Sequence, residues 1–250
     1  MDRRNFFKKS ALAGVAALSI PEIVRAAMPE VSEANCRLFS KGEVILFQGD
    51  SITDWGRNKE QENEFNLPSQ LGGGYAMFTA ANILANHPCQ GLKIFNRGIS
   101  GNKVFQLDER WDKDCIALKP NILSILIGVN DFWHTKTGGY AGTIATYETD
   151  YRNLLNRTLE ELPGIRIVIC EPFIIHGGKA LDDTWERDFA PYREAAKVLA
   201  ESFDLTFVPF QSVFNEALKK ADASYWGADG VHPSMAGAQL MAQAWIKAVL

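Results

Sequence analysis

Ser51 lies in Gly49-Asp50-Ser51-Ile52, directly after the apolar run Val44-Ile45-Leu46-Phe47, so a hydroxyl stands where a buried strand opens into a loop. In open parallel sheets, that edge is where ligands collect. A serine is a weak nucleophile at neutral pH. It requires a base to take its proton and donors to hold the oxyanion that forms on an attacked carbonyl. Of the four histidines, His87 falls at a helix end, His134 in the loop after the third strand and His176 in the loop after the fourth. His232 stands instead in Asp229-Gly230-Val231-His232-Pro233, three residues after a carboxylate that can orient its imidazole within one turn. Asn130 follows Ile125-Leu126-Ile127-Gly128-Val129, at the end of a central strand, where its amide can donate to an oxyanion; an Asx turn is its competing role. Gly101, in Asn96-Arg97-Gly98-Ile99-Ser100-Gly101-Asn102, offers a backbone N–H as a further donor, a role compatible with a glycine chosen for its turn. These residue types at these places are suited to acyl transfer through a covalent serine intermediate.

The elements that must position them alternate. Short β-rich runs at Val44-Phe47, Lys93-Asn96, Ile122-Ile127, Arg166-Cys170 and Thr206-Val208 are separated by segments of helical period, the pattern of a parallel sheet covered by helices on both faces. Tyr75, Phe78, Ala81, Ile83 and Leu84 give one helix face, ended by His87-Pro88. Val104, Leu107, Trp111 and Leu118 give a second, stopped by Pro120. Ile144, Tyr147, Leu154, Leu155, Thr158 and Leu162 give a third, and two more helices are expected near Pro191 to Phe203 and Ser234 to Val249. Gly72-Gly73-Gly74 lacks the spacing of a phosphate-binding loop and reads as a plain turn.

With 46% hydrophobic and 22% charged residues in 250, one substantial core is expected, and no repeat or linker divides the chain. A net charge of -4 without a basic stripe argues against a nucleic-acid partner. Arg3-Arg4-Asn5-Phe6-Phe7-Lys8-Lys9 followed by the apolar stretch Ala11 to Ile20 resembles a twin-arginine export signal, with a cleavage point at Ala26-Ala27. This gives a leader over 1–27 and a catalytic domain over 28–250, exported to the periplasm or beyond. The competing reading of the leader is an amphipathic helix packed on the domain. The apolar stretch is short of the ~20 residues a membrane span requires, so no stable insertion of the mature chain is expected. Cys36, Cys89, Cys115 and Cys170 show no C-x-x-C pair, which disfavours zinc. Cys115, on a helix, and Cys170, in a strand, read as buried thiols, and any pairing is left open.

In order, the segments GDSI, GISGN, GVND and DGVH resemble the SGNH hydrolase superfamily, also called GDSL-type esterases and lipases, over about residues 43–250. The resemblance implies a three-layer α/β/α sandwich of flavodoxin-like topology with a five-stranded parallel sheet, in agreement with the strand count above. It implies Ser51 as nucleophile, Asp229 and His232 as its partners, and an oxyanion hole made by the Ser51 and Gly101 amides and the Asn130 side chain. No metal or cofactor is implied. Asp50, Asp54 and Asp131 as Mg²⁺ ligands of a phosphoryl-transfer enzyme would leave His232 and Asn130 without a purpose.

The longer runs GDSITDWGR and GVNDFWH resemble bacterial secreted carbohydrate esterases. Trp55, Trp133, His134 and Trp226 fall on segments expected to border the site, and aromatic faces there suit sugar rings. With Asp54 they are the candidate substrate contacts. Removal of acetyl groups from an acetylated glycan, or from another small ester, is the expected activity. A lysophospholipase or thioesterase would need an apolar acyl groove, and a silent glycan-binding protein would not need Ser51, Asn130 and His232.

Overall fold

Five short runs rich in Val, Ile, Leu and Phe form the sheet of the computed structural model, which describes residues 19–28 and 39–250. They are β1 (Val44–Gly49), β2 (Lys93–Asn96), β3 (Ile122–Leu126), β4 (Arg166–Cys170) and β5 (Thr206–Val208). All pairings are parallel, in the order β2-β1-β3-β4-β5. Ile45, Leu46 and Phe47 of β1 are fully buried, as are all five residues of β3, because helices cover both faces. The chain runs from β1 to β2 on one side and returns to β3 on the other. The topological switch point therefore lies at the carboxyl ends of β1 and β3, where crevices form in open α/β sheets. Ser51 follows β1 and Asn130 follows β3, so the strand order brings both to this edge.

The helices are α1 (Ile20–Ala27), α2 (Ser51–Asp54), α3 (Pro68–Leu71), α4 (Tyr75–Asn86), α5 (Val104–Glu109), α6 (Trp111–Asp114), α7 (Val129–Lys136), α8 (Ile144–Glu161), α9 (Trp185–Ser202), α10 (Phe210–Leu218), α11 (Ala223–Trp226) and α12 (Met235–Val249). Helices α4 and α12 pack together in one layer with α10, and α5, α8 and α9 make the other. Trp245 of α12 and Trp111 of α6 are the largest fully buried side chains, and each indole N–H has a hydroxyl acceptor, Ser124 Oγ and Thr158 Oγ1, both at 2.9 Å. Burial therefore costs neither indole its hydrogen bond.

Several expectations are revised. The segment read as one helix from Val104 to Leu118 breaks at Arg110 (φ -115°, ψ 8°) and again at Cys115, which caps α6 and does not lie within a helix. The break turns Arg110 into a buried ionic cluster described below. Helix α9 starts at Trp185, six residues before Pro191, so the proline lies in the helix interior. It is tolerated because Pro191 and Arg187, whose carbonyl loses its usual donor, both face solvent. His134, read as a loop residue, is in α7.

Helix α1 covers part of the stretch read as an export signal; residues 1–18, with its basic start, lie outside the described residues, as does Cys36. Ser19 and Glu22 form a capping box, Ile23 and Val24 are buried, and the helix packs on α10 and α12, with Lys247 Nζ donating to Met28 O at 2.8 Å. Cys89 is a free, exposed thiol, whereas Cys115 and Cys170 are free and buried. Burial holds both buried thiols protonated, pushing Cys170 up to about 12. No helix among the described residues is long and apolar enough to cross a membrane.

Candidate active site

Ser51 is the first residue of α2, capped by Asp50, whose carboxylate accepts the Ile52 N–H at 3.0 Å. The Ser51 N–H is thus among those that a helix leaves without an internal acceptor. Ser51 Oγ is 2.8 Å from His232 Nε2, and His232 Nδ1 is 2.7 Å from Asp229 Oδ2. Residues 181 positions apart in sequence are joined in one relay. The other Asp229 oxygen accepts the backbone N–H groups of His232 and Val231 at 2.7 and 2.9 Å. Burial alone would raise the Asp229 carboxyl, but these two amides and the imidazole hold it below its usual range. An ionised Asp229 keeps the Nδ1 proton facing it, which leaves the Nε2 lone pair for the Ser51 hydroxyl.

Gly101 has φ +81° and its N–H has no acceptor among the described residues. Asn130 is buried in the first turn of α7, and its Nδ2 donates one hydrogen to Asn102 O at 3.3 Å. The amide is thereby fixed to the loop that carries Gly101. That loop is tied to the Ser51 segment as well: Ile99 N–H donates to Gly49 O at 3.0 Å and Ser100 N–H to Asp54 Oδ2 at 3.1 Å. An N–H pair, an amide and a polarised hydroxyl thus meet at the carboxyl edge of the sheet, where they can stabilise a tetrahedral oxyanion.

A buried ionic cluster braces this loop from below, and nothing in the sequence reading pointed to it. Arg97, 1% exposed, pairs with Asp114 at 3.3 Å and Glu62 at 3.1 Å. Arg110 pairs with Asp114 at 2.9 Å and donates to Arg97 O at 2.8 Å and to Asn102 Oδ1 at 2.9 Å. The available signal was the presence of Arg110 and Asp114, four residues apart, in a segment weighed only for its apolar face.

The candidate substrate contacts divide. Asp54 is 5% exposed; its Oδ2 is engaged by Lys59 at 3.2 Å and by the Ser100 N–H, so it holds the loop, and its Oδ1 is buried without a hydrogen-bond partner among the described residues. Trp226 is 4% exposed, with Nε1 donating to Ala217 O at 3.0 Å, so its ring offers little face to a sugar. Trp55 and His134 remain at the site. The Trp55 ring is 5.9 Å from that of His232, and His134 lies beside Gly101, with Cε1 4.0 Å from where a Cβ on that glycine would be. Burial and the Lys103 charge lower the His134 pKa, which keeps its ring neutral. Trp133, half-buried, packs edge-on against Trp185 at 5.2 Å.

Gly72-Gly73-Gly74 is more than a turn. Trp55 adopts a left-handed conformation (φ 38°, ψ 46°), and the three glycines wrap around it, with Gly73 N–H donating to Trp55 O at 3.1 Å. A Cβ on Gly73 would lie 3.0 Å from the indole Cδ1, one on Gly74 2.9 Å from Trp55 Cβ, and one on Gly72 2.5 Å from Asp54 O. The tract is a collar that holds the indole beside the His232 imidazole.

Two more carboxyls, Asp50 and Asp131, are buried, and one oxygen of each has no partner among the described residues. Burial pushes each up to about 7, and the charge of Asp131 adds to the rise at Asp50. Between about pH 4 and 7 the folded chain keeps protons that the unfolded chain has released, so the stability these groups contribute declines as pH rises through that window. Asp131→Asn keeps an acceptor for the Val104 N–H and removes the buried acid. It is expected to raise the urea midpoint at pH 8, by the equivalent of about 4 kcal/mol at most, and to change it little at pH 4. An equal change at both pH values would show that the carboxyl is not held protonated. Among the described residues, no three His, Cys, Asp or Glu converge as a metal-binding group, so Asp50, Asp54 and Asp131 do not form one site.

Residues 47–240 match the model of the GDSL-like lipase/acylhydrolase family. An acetylxylan esterase of Geobacillus stearothermophilus is 37% identical over 211 residues, which cover 83% of this chain and 94% of that protein. Its crystal structure superposes with a TM-score of 0.76 over 84% of this chain and 95% of its own. Solved variants of that esterase described as catalytic mutants replace a serine, an aspartate and a histidine, the last two three positions apart. A protein described as a GDSL-like lipase from Parabacteroides merdae is 53% identical, with a TM-score of 0.83 over 85% of this chain and 97% of its own.

Proposed function

This chain belongs to the GDSL-like lipase/acylhydrolase family, and on that premise we propose that it is a serine esterase that removes acetyl groups from polysaccharides or oligosaccharides. The observation that carries the reading is the Ser51–His232–Asp229 relay at 2.8 and 2.7 Å, with the same Asp-x-x-His spacing as the residues replaced in the Geobacillus catalytic mutants. His232 takes the Ser51 proton as Oγ attacks the ester carbonyl. The oxyanion accepts hydrogen bonds from the Ser51 and Gly101 amides and from Asn130 Nδ2. The imidazolium then protonates the departing sugar oxygen, leaving an acetyl-serine. Water, deprotonated by His232, attacks that ester, and acetate leaves as Ser51 recovers its proton.

Trp55, held beside the imidazole, and His134 beside Gly101 are the aromatic groups proposed to face the substrate. Acetylated polysaccharides are met outside the cell, which agrees with an export function for the Arg3-Arg4 segment.

Acetate release from a panel of acetylated xylans, mannans, pectins and host glycans tests the class of substrate, with release from at least one expected. With p-nitrophenyl esters, kcat/KM is expected to fall about tenfold or more from acetyl to octanoyl, because a site for a small acyl group discriminates against the longer chain. A rise along the same series would mark a lysophospholipase or thioesterase.

A further inference from the structure

If the acetyl group is held at Ser51, the glycan that carries it must extend across the carboxyl edge of the sheet. A cleft of about 380 Å³ opens there beside the catalytic turn, within the size range of small-molecule sites. Leu181, half-buried, gives it an apolar wall against the buried Trp185, and His176, Asp183 and Glu186 a polar rim. The loop after β4 runs along the turn that carries the base. Ile175 N–H donates to Gly230 O at 2.7 Å, Lys179 N–H to Ala228 O at 3.0 Å and Ala180 N–H to Asp229 O at 2.9 Å. Gly178 meets Gly230 so closely that a Cβ on Gly178 would lie 2.1 Å from the Gly230 Cα. On the other side, Trp185 packs against Phe132 at 4.9 Å and Trp133 at 5.2 Å, both on the helix whose first turn holds Asn130. The cleft thus sits between the element carrying the base and the element carrying the oxyanion amide. Another cleft, of about 260 Å³ around Asn121 and Ile165, lies where the chain enters β3 and β4, at the edge opposite Ser51.

We propose that the cleft beside the catalytic turn is a subsite for a neutral glycosyl unit of the acetylated chain, adjacent to the unit whose ester is cut. This rests on the polysaccharide reading above. A pyranose presents an apolar C–H face, which matches the Leu181 wall, and hydroxyl donors, which match a rim of acceptors. The rim charges are unequally engaged. Glu186 is paired with Arg193 at 2.5 Å and lies 3.3 Å from His176 Nε2, whereas the Asp183 carboxylate has no partner among the described residues and is free to accept from a hydroxyl. The same free charge repels an acidic sugar, so the subsite selects neutral chains over those bearing a uronate at this position.

The test compares kcat/KM on acetylated xylo-oligosaccharides with kcat/KM on p-nitrophenyl acetate, an ester with no sugar, for the full chain and for its His176→Ala/Asp183→Ala double variant. Both side chains are exposed. The ratio of the two constants is expected to fall about tenfold or more in the double variant, with the change in KM for the oligosaccharide. Asp183→Lys is expected to shift preference toward an acetylated oligosaccharide bearing a glucuronate. An unmoved ratio together with an unmoved preference overturns the subsite while leaving the deacetylase reading in place. Hydrolysis of p-nitrophenyl acetate with no acetate released from any acetylated glycan overturns the polysaccharide reading, and the subsite with it.

Discussion

Replacing His232 by alanine is expected to lower kcat on p-nitrophenyl acetate by about four to six orders of magnitude, with the midpoint of thermal unfolding little changed. The effect is large because the imidazole serves both half-reactions. Without it Ser51 keeps its proton at neutral pH, and neither the departing alcohol nor the hydrolytic water has a proton-transfer partner. The fold is expected to survive because the ring is one-third exposed and Asp229 keeps two backbone donors, the Val231 and His232 N–H groups, when it is gone. Ser51→Ala is expected to match the loss, and the double variant to lose no more than either single one, since the two residues act as a unit. Near-normal turnover by His232→Ala would remove the residue as base.

The second-largest effect is expected at Asn130. Its amide is held by the Asn102 carbonyl in a buried position, so it needs no reorganisation to meet an oxyanion, and its removal in Asn130→Ala is expected to lower kcat by about 10²–10³. Because the bond strengthens only as charge develops on the carbonyl oxygen, kcat and kcat/KM should fall together. Asn130→Asp preserves the shape and replaces the donor by a carboxylate, and is expected to be worse than alanine at neutral pH. A variant whose KM rises while kcat holds would make Asn130 a ground-state contact.

The extent to which this structure could be read in the sequence follows the range of the forces involved. Lys93–Asn96, Arg166–Cys170 and Thr206–Val208 have the bounds expected of them, because a short buried strand is written locally, as an apolar run between turn formers. The turn from Asp229 to His232 was equally legible, since three residues and two backbone amides suffice to build it. Helices such as α2, α3 and α11, one turn long, are below the length at which periodicity is detectable.

Trp226 and Asp54 have surroundings that were illegible for another reason. Their residue types suit a sugar, but the acceptors and cations that bind them, Ala217 O and Lys59, come from packing that no local pattern encodes. That Ser51, Asn130 and His232 converge depends on strand order. Spacing in sequence does not fix that order.

Trp55 and the collar around it also have an evolutionary meaning. A Cβ at position 73 would lie 3.0 Å from the indole Cδ1, so residues 55 and 73 are coupled. An alanine at position 73 requires the indole to give by a few tenths of an ångström, so it costs less in a descendant whose residue 55 is smaller. Change on this flank of the imidazole is therefore easier in one order of substitution, starting at residue 55.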